Sequence, residues 1–180
     1  MKKEDENQNF TEDEKDLLED LLDEYGTELK HIAFFYLKDR ELAEDIIQEV
    51  FISCFKNLHT FRYESSYKTW LIKITVNKCK DSLKKWSFKN IFYREKIKDP
   101  IENCTPEKKV IEKTVNENLA TEVLQLPLKF REVIILFYYE ELSLIEISLV
   151  LKINVNTIKS RLSRAKENLR KSIERSDFDG

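Results

Sequence analysis

Two glycines and three prolines are all that this chain of 180 residues offers for tight turns. Hairpins and short loops draw on glycine for positive backbone φ and on proline for a preset φ, so a many-stranded sheet would need more of both. Hydrophobic residues make up 41% of the chain and charged residues 36%, a balance that suits long helices with one buried and one solvated face. The expected fold class is all-α. The length allows one ordinary domain or two small ones, each able to bury a core.

The longest apolar runs, such as "VIILFYY" (Val133 to Tyr139), fall far short of the ~20 residues that cross a bilayer. The N-terminal "MKKEDENQNFTEDEKD" is polar and acidic where a secretory signal is basic and then apolar, so a cytoplasmic location is expected. Cys54, Cys79 and Cys104 are odd in number and widely spaced, with only His31 and His59 as co-ligands. Neither a metal nor a disulfide is expected, and the thiols are read as packing groups in a reducing compartment. No Ser/His/Asp set and no glycine-rich phosphate loop is recognisable, so neither enzymatic activity nor a cofactor is expected.

Charge is segregated along the chain. Met1 to Glu24 holds three lysines against eleven acids, a net −8. Asn77 to Lys98 holds eight basic residues against Asp81 and Glu95, and Lys152 to Arg175 holds eight against Glu167 and Glu174, a net +6 in each. Two basic patches in separate parts of the chain suggest two contacts with a polyanion, which the overall charge of −3 conceals.

Thr11 and Glu14 form a capping-box pair ahead of Leu17, Leu18, Leu21, Leu22 and Tyr25, predicting a first helix to about Tyr25. Gly26 permits a break, after which "ELKHIAFFYL" resumes the helical pattern. Asp39 caps a third helix with Leu42, Ile46, Val50 and Cys54 on one side. "HTFRYESS" is non-helical and leads into a fourth helix from near Tyr67 to about Trp86. Lys98 to Val115 carries two of the three prolines, mixed charge and no clear period, and reads as an interdomain linker. "ATEVLQLP", a helix opening near Pro127, the short "LSLIEISLVL" and a basic helix follow.

Ser143 and Glu146 make a second capping box, "KINVN" is a short turn, and Asn154 can cap the last helix. On that helix Ile158, Leu162, Ala165 and Leu169 form one narrow inward stripe at ~100° per residue. Asn156, Ser160, Ser163 and Glu167 point the other way, edged by Lys159, Lys166 and Arg170 on one side and Thr157, Arg161 and Arg164 on the other. This is the pattern of a helix-turn-helix, in which basic edges bridge phosphates and small polar groups approach base edges. It is also the pattern of a solvated basic helix, and the stretch alone does not separate the two. In the third helix Asp45, Gln48, Glu49 and Ile52 lie away from the apolar stripe, either a solvated face or a docking surface. In the fourth, Ile72, Val76, Cys79 and Leu83 face inward while Trp70 and Ile74 stand among Lys73, Asn77, Lys80 and Lys84. That mixture suits unstacked bases and backbone phosphates, or packing of Trp70 on a neighbouring helix.

Together these segments resemble the extracytoplasmic-function class of bacterial RNA polymerase sigma factors. "AEDIIQEVFISCFKNLHTFRYESSYKTWLIKITVNKCKDSLKK" is similar to the family's region two and "LPLKFREVIILFYYEELSLIEISLVLKINVNTIKSRLSRAKENL" to its region four. The resemblance covers both halves in order, which one helix-turn-helix alone would not. It implies two small helical domains, region two over 1–97 and a helix-turn-helix region four over 118–180, joined by a linker at 98–117. It further implies that Asp45, Gln48, Glu49 and Ile52 dock on a coiled coil of the beta and beta-prime subunits of core RNA polymerase. Phe61, Arg62, Tyr63, Ser65, Tyr67, Lys68, Trp70, Asn77 and Lys78 would hold the minus-ten strand, with a flipped base in the loop. Asn156, Thr157, Lys159, Ser160, Arg161, Ser163 and Arg164 would read the minus-thirty-five element of promoter DNA as duplex. A cognate anti-sigma factor, membrane-anchored in many members, is implied as well. The acidic N-terminal extension departs from the family pattern and is read as a disordered tail rather than a shield for the basic patches. A stand-alone helix-turn-helix regulator is the alternative, with the N-terminal helices serving dimerisation or sensing, and joining core polymerase is the property that separates the two.

Overall fold

The computed structural model describes residues 11–61, 65–91 and 117–176, and among these every regular element is helical. Helices α1 (Glu12–Leu37), α2 (Arg40–Asn57) and α3 (Tyr67–Ile91) form the N-terminal domain, with a single 3-10 turn at Leu58–Thr60. Helices α4 (Glu117–Gln125), α5 (Leu128–Ile134), α6 (Leu144–Leu151) and α7 (Val155–Ser176) form the C-terminal one. The first ten residues, Arg62 and Tyr63 of the loop, Cys104 and all of the predicted linker except Glu117 lie outside the described residues.

Local chemistry sets the helix ends. Thr11 Oγ1 accepts from the Glu14 N–H at 3.3 Å and the Glu14 carboxylate accepts from the Thr11 N–H at 3.1 Å, a complete capping box. Asp39 Oδ1 accepts from the Leu42 N–H at 3.0 Å to start α2. Between them Lys38 adopts φ 58° and donates its N–H to Phe34 O at 2.7 Å, turning the chain without a glycine. Gly26 does not interrupt α1, contrary to the expected break. A single glycine inside a strongly amphipathic helix only weakens it, and the buried side chains beyond it, Leu29, Ile32, Ala33 and Tyr36, hold the helix in one piece.

The inward stripes of α2 and α3 meet α1 in a core that includes Ile46, Val50, Cys54, Ile72, Val76 and Cys79. Leu42, expected in the α2 stripe, stands 40% exposed in the first turn, and Ala43 takes the inward position instead. Helix α3 also buries Leu71 and Thr75, because it packs on α1 and α2 along one side and on α6 along the other. Burial pushes the thiols of Cys54 and Cys79 up to about 12, so both are packing groups without thiolate reactivity. Each fully buried large aliphatic contributes about 1.5–3 kcal/mol. An exposed pair such as Lys15–Glu12, at 2.9 Å, is screened by water, so the stripes and not the surface charges determine the packing.

In the C-terminal domain α5 runs on into one widened turn of π-helix, Ile135–Tyr139, closed by the Glu140 N–H donating to Ile135 O at 3.1 Å. The two domains pack directly on each other. The rings of Phe35 and Tyr139 lie 5.6 Å apart, and the buried apolar residues of α1 to α7 form one continuous cluster. Lys68 of α3 reaches Glu28 at 3.1 Å and the buried Glu140 at 3.2 Å.

Two tests follow from this packing. A Cβ built at Gly26 meets nothing within 4 Å, so Gly26→Ala should raise stability by ~0.5–1 kcal/mol and the melting temperature by about 1–4 °C. A lower melting temperature would mean that α1 needs its glycine. The Glu140 carboxyl is raised above its ordinary value of 4.5, first by burial, with Lys68 opposing and Glu28 adding. A carboxyl raised on folding favours the folded state below its unfolded value and loses that contribution as pH climbs through the folded one. Glu140→Gln should therefore be no less stable than the natural chain at pH 7, and any gain should shrink as pH falls toward 4.5. Denaturant melts of both chains across that range decide it, and a gain that grows on acidification would refute it.

Candidate nucleic-acid interface

The short helix α6 begins at Ser143, whose Oγ accepts from the Glu146 N–H at 3.2 Å while Glu146 Oε2 accepts from the Ser143 N–H at 2.9 Å. It ends at Lys152, in the left-handed region with φ 56°. Asn154 Oδ1 then accepts from the Asn156 N–H at 2.8 Å and opens α7. This is a helix-turn-helix held by caps at both starts. Ile158, Leu162 and Ala165 of α7 are buried and Leu169 half-buried. Asn156, Thr157, Lys159, Ser160, Ser163 and Arg164 are all exposed on the other side. Arg161 differs from them. It is half-buried, and its Nη1 donates to Glu132 Oε1 at 2.8 Å.

The start of α3 carries an aromatic platform. Phe61 stacks on Tyr67 with centroids 4.4 Å apart and planes at 24°, and lies 5.3 Å from the Trp70 ring. Ser66 caps the helix, its Oγ accepting from the Thr69 N–H at 3.1 Å. Both described ends of the loop are thus pinned, Phe61 on one side and Ser65 to Tyr67 on the other. Trp70 packs against Phe61 and the core while remaining partly exposed, so packing on neighbours and a surface role coexist in one side chain. Two turns on, Asn77 is exposed and Lys78 Nζ lies 3.2 Å from Glu49 Oε2. Asp45, Gln48, Glu49 and Ile52 lie along one exposed face of α2, with Ile52 56% exposed.

The structure therefore yields three surfaces and one set of residues, Tyr36, Arg131, Glu132 and Glu140, that the sequence did not single out. They meet Lys80 and Lys68 where the domains touch. Glu132 is 4% exposed and accepts from Tyr36 OH at 3.1 Å, from Lys80 at 3.0 Å and from Arg161. Arg131 donates to Leu124 O at 2.6 Å and to Tyr36 O at 3.3 Å. The available signal was a pair of opposite charges inside the apolar stretch "LPLKFREVIILF", where a solvated face has no room. Among the described residues no cluster of potential metal ligands is present, and no helix is long and apolar enough to cross a membrane.

Comparison with known proteins gives matches along both domains. The models of Sigma-70 region 2 and Sigma-70 region 4 match residues 21–87 and 116–169. The ECF RNA polymerase sigma factor SigW of Bacillus subtilis is 33% identical over 171 residues, covering 89% of this chain and 90% of that protein. RNA polymerase sigma factor SigV of the same organism is 29% identical over 168 residues, covering 91% and 95%. Among solved structures, the sigma factor RpoE crystallised with the anti-sigma factor NepR from Bartonella quintana superposes with a TM-score of 0.74. At 21% identity over 89% of this chain and 98% of that one, it is a likeness of fold. A capped helix-turn-helix behind a three-helix domain, both matched in order by the two sigma-70 regions and aligned nearly end to end with SigW, makes this chain a member of the ECF class of RNA polymerase sigma factors, which direct transcription initiation.

Proposed function

We propose that the protein joins core RNA polymerase through α2 and reads promoter DNA with two surfaces of different chemistry. The observation that carries this reading is the division of α7, whose inward stripe is buried while six polar and basic candidates stand exposed together. A basic helix that is merely solvated has no need of small Asn, Thr and Ser side chains along its outer face, whereas a helix in a major groove does. The platform of Phe61, Tyr67 and Trp70 beside Asn77 and Lys78 suits a strand whose bases have left the stack. Exposed Asp45, Gln48, Glu49 and Ile52 suit a protein partner with a basic rim and an apolar pocket. In this reading residues 1–97 and 118–180 are the two functional domains and 98–117 the linker between them.

The chain breaks no bonds itself and needs no cofactor. Its work is binding, positioning and stabilising an opened duplex inside the cytoplasm. An anti-sigma factor is a natural partner for such a chain, and membrane anchoring of that partner would tie its release to a signal outside the cell. The stand-alone regulator is the second reading, and co-purification with core polymerase followed by run-off transcription separates the two. Tight dimeric binding to a promoter without polymerase would favour that second reading.

Asp45 and Glu49 stand one turn apart on an exposed face, so Asp45→Arg with Glu49→Arg should fold normally and weaken core association by several kcal/mol through like-charge juxtaposition. Undiminished co-purification of the folded double variant would rule this docking face out.

The two DNA surfaces should fail differently. Arg164→Ala should cost about 1–3 kcal/mol in duplex recognition of the upstream element and leave core binding unchanged. Tyr67→Ala should spare upstream binding and impair opening. Transcription from a matched promoter and from one with the downstream element already unpaired reads the difference. Pre-melting should partly rescue Tyr67→Ala and give Arg164→Ala no specific benefit, and an identical response would remove the division of labour.

A further inference from the structure

This inference rests on α7 as the helix that reads the upstream duplex, and it concerns the basic candidate on that helix that is not exposed. At ~100° per residue Arg161 stands ~40° around α7 from the buried Ala165, and Arg164 stands ~60° farther out on the same edge. Arg164 is exposed. Arg161 is half-buried, and its Nη1 donates to Glu132 Oε1 at 2.8 Å, on the helix α5 against which α7 packs. Glu132 is 4% exposed, and its other oxygen accepts from Tyr36 OH and Lys80, so the carboxylate has a fixed place from which to hold the guanidinium. Swinging Arg161 out to a base edge or a phosphate would take a donor from a buried oxygen. A cation whose charge is already met by a carboxylate also releases no counterion from DNA.

We propose that Arg161 is a positioning residue and not a DNA contact: held by Glu132, it sets the angle at which α7 lies on α5, and so the register in which Lys159, Ser160, Ser163 and Arg164 meet the groove. Base edges are read by hydrogen bonds that tolerate little displacement. A helix held by its inward stripe of Ile158, Leu162 and Ala165 alone can roll along that stripe, because apolar contact has no direction. A charge-assisted bond at the edge of the stripe removes that freedom. Glu132, which lies too deep to touch DNA, is then a determinant of upstream recognition. Arg161 and Arg164, one turn apart, divide the work: the first points back to α5 and orients the helix, the second points out and reads.

The test uses polymerase assembled with the full-length chain, and a duplex selected from a randomised library by the natural assembly. Two quantities are measured for each variant, the base preference at every position of the upstream element and the slope of log K against log salt. Arg161→Ala should weaken binding roughly tenfold, blur the preference at several adjacent positions together and leave the slope unchanged. Arg161→Gln keeps a donor for Glu132 without the charge, and should recover most of the loss with the natural preference, a rescue that a reading residue would not show. Glu132→Met fills the space without an acceptor, and should blur the same positions as Arg161→Ala. A single position relaxed by Arg161→Ala identifies a base contact, and a slope reduced by about 1 with the preference kept identifies a phosphate contact; either overturns the proposal. A Glu132→Met profile unlike that of Arg161→Ala overturns it too. Where Glu132→Met melts early, the Arg161 variants decide alone, since that side chain is 25% exposed. Arg164→Ala is the control for α7 itself. If it relaxes one position or lowers the slope while Arg161→Ala does the same, only the positioning role falls; if it alters neither quantity, α7 is not the reading helix and both readings fall.

Discussion

A carboxylate that is 4% exposed has to find its hydrogen-bond donors inside the protein, and the way Glu132 finds them fixes much of this molecule. Its donors come from α1, α3 and α7, so α5 has to lie where all three can reach it. Arg131, the preceding residue on α5, points about 100° around the helix and there bonds Leu124 O and Tyr36 O. Tyr36 thus meets both neighbours, one through its hydroxyl and one through its carbonyl. Taking away one partner of such a site costs about 3–5 kcal/mol, because a buried charge is left behind. Apolar stripes decide that helices pack, and these two charges decide where α5 sits between them.

The same economy recurs at the edges of the site. Glu146 closes the capping box of α6 with one oxygen and accepts from Thr69 of α3 with the other, which links the fold of the helix-turn-helix to its contact with the other domain. Its carboxyl is lowered chiefly by the Ser143 hydroxyl, with Thr69 contributing less, so it stays charged and available to both. Lys68 lies between Glu28 and Glu140, and Lys78 faces Glu49. The basic segments seen in the sequence are therefore partly neutralised by carboxylates of the same chain. Lys159, Arg164 and Lys166 stand exposed along α7, and there long-range attraction to a polyanion is strongest.

Period and capping made most of the architecture legible. The two capping boxes, the Asp39 and Asn154 caps, and the buried stripe of Ile158, Leu162 and Ala165 all follow from residues within one or two turns of each other. Gly26 misled because a local propensity of ~1 kcal/mol is small beside the packing of the helix that contains it. Leu42 misled because the first turn of α2 leaves it exposed while Ala43 turns inward, and Leu71 is buried beside the expected stripe because α3 packs on α6 as well as on α1 and α2. The interdomain site was harder to see for a stronger reason. Its donors and acceptors are separated by up to 96 residues, and nothing local to Tyr36 or Lys80 marks Glu132 as their partner. The exposed surfaces were readable as lists of residues, but the aromatic platform needed the structure to show that Phe61, Tyr67 and Trp70 touch.

The chemistry of the interdomain contact bears on whether it can come apart. Apolar surface exposed on separation costs roughly 25 cal/mol per Å² and recovers nothing from water. Charged groups regain hydration in solvent, so the polar contacts of Lys68, Lys80, Thr69, Tyr36 and Arg131 hold the domains together less strongly than the continuous apolar cluster they border, and serve mainly to fix its register. The ring pair of Phe35 and Tyr139 supplies an apolar anchor beside them. An interface of this composition is specific, since each carboxylate accepts only from donors placed within about 3 Å.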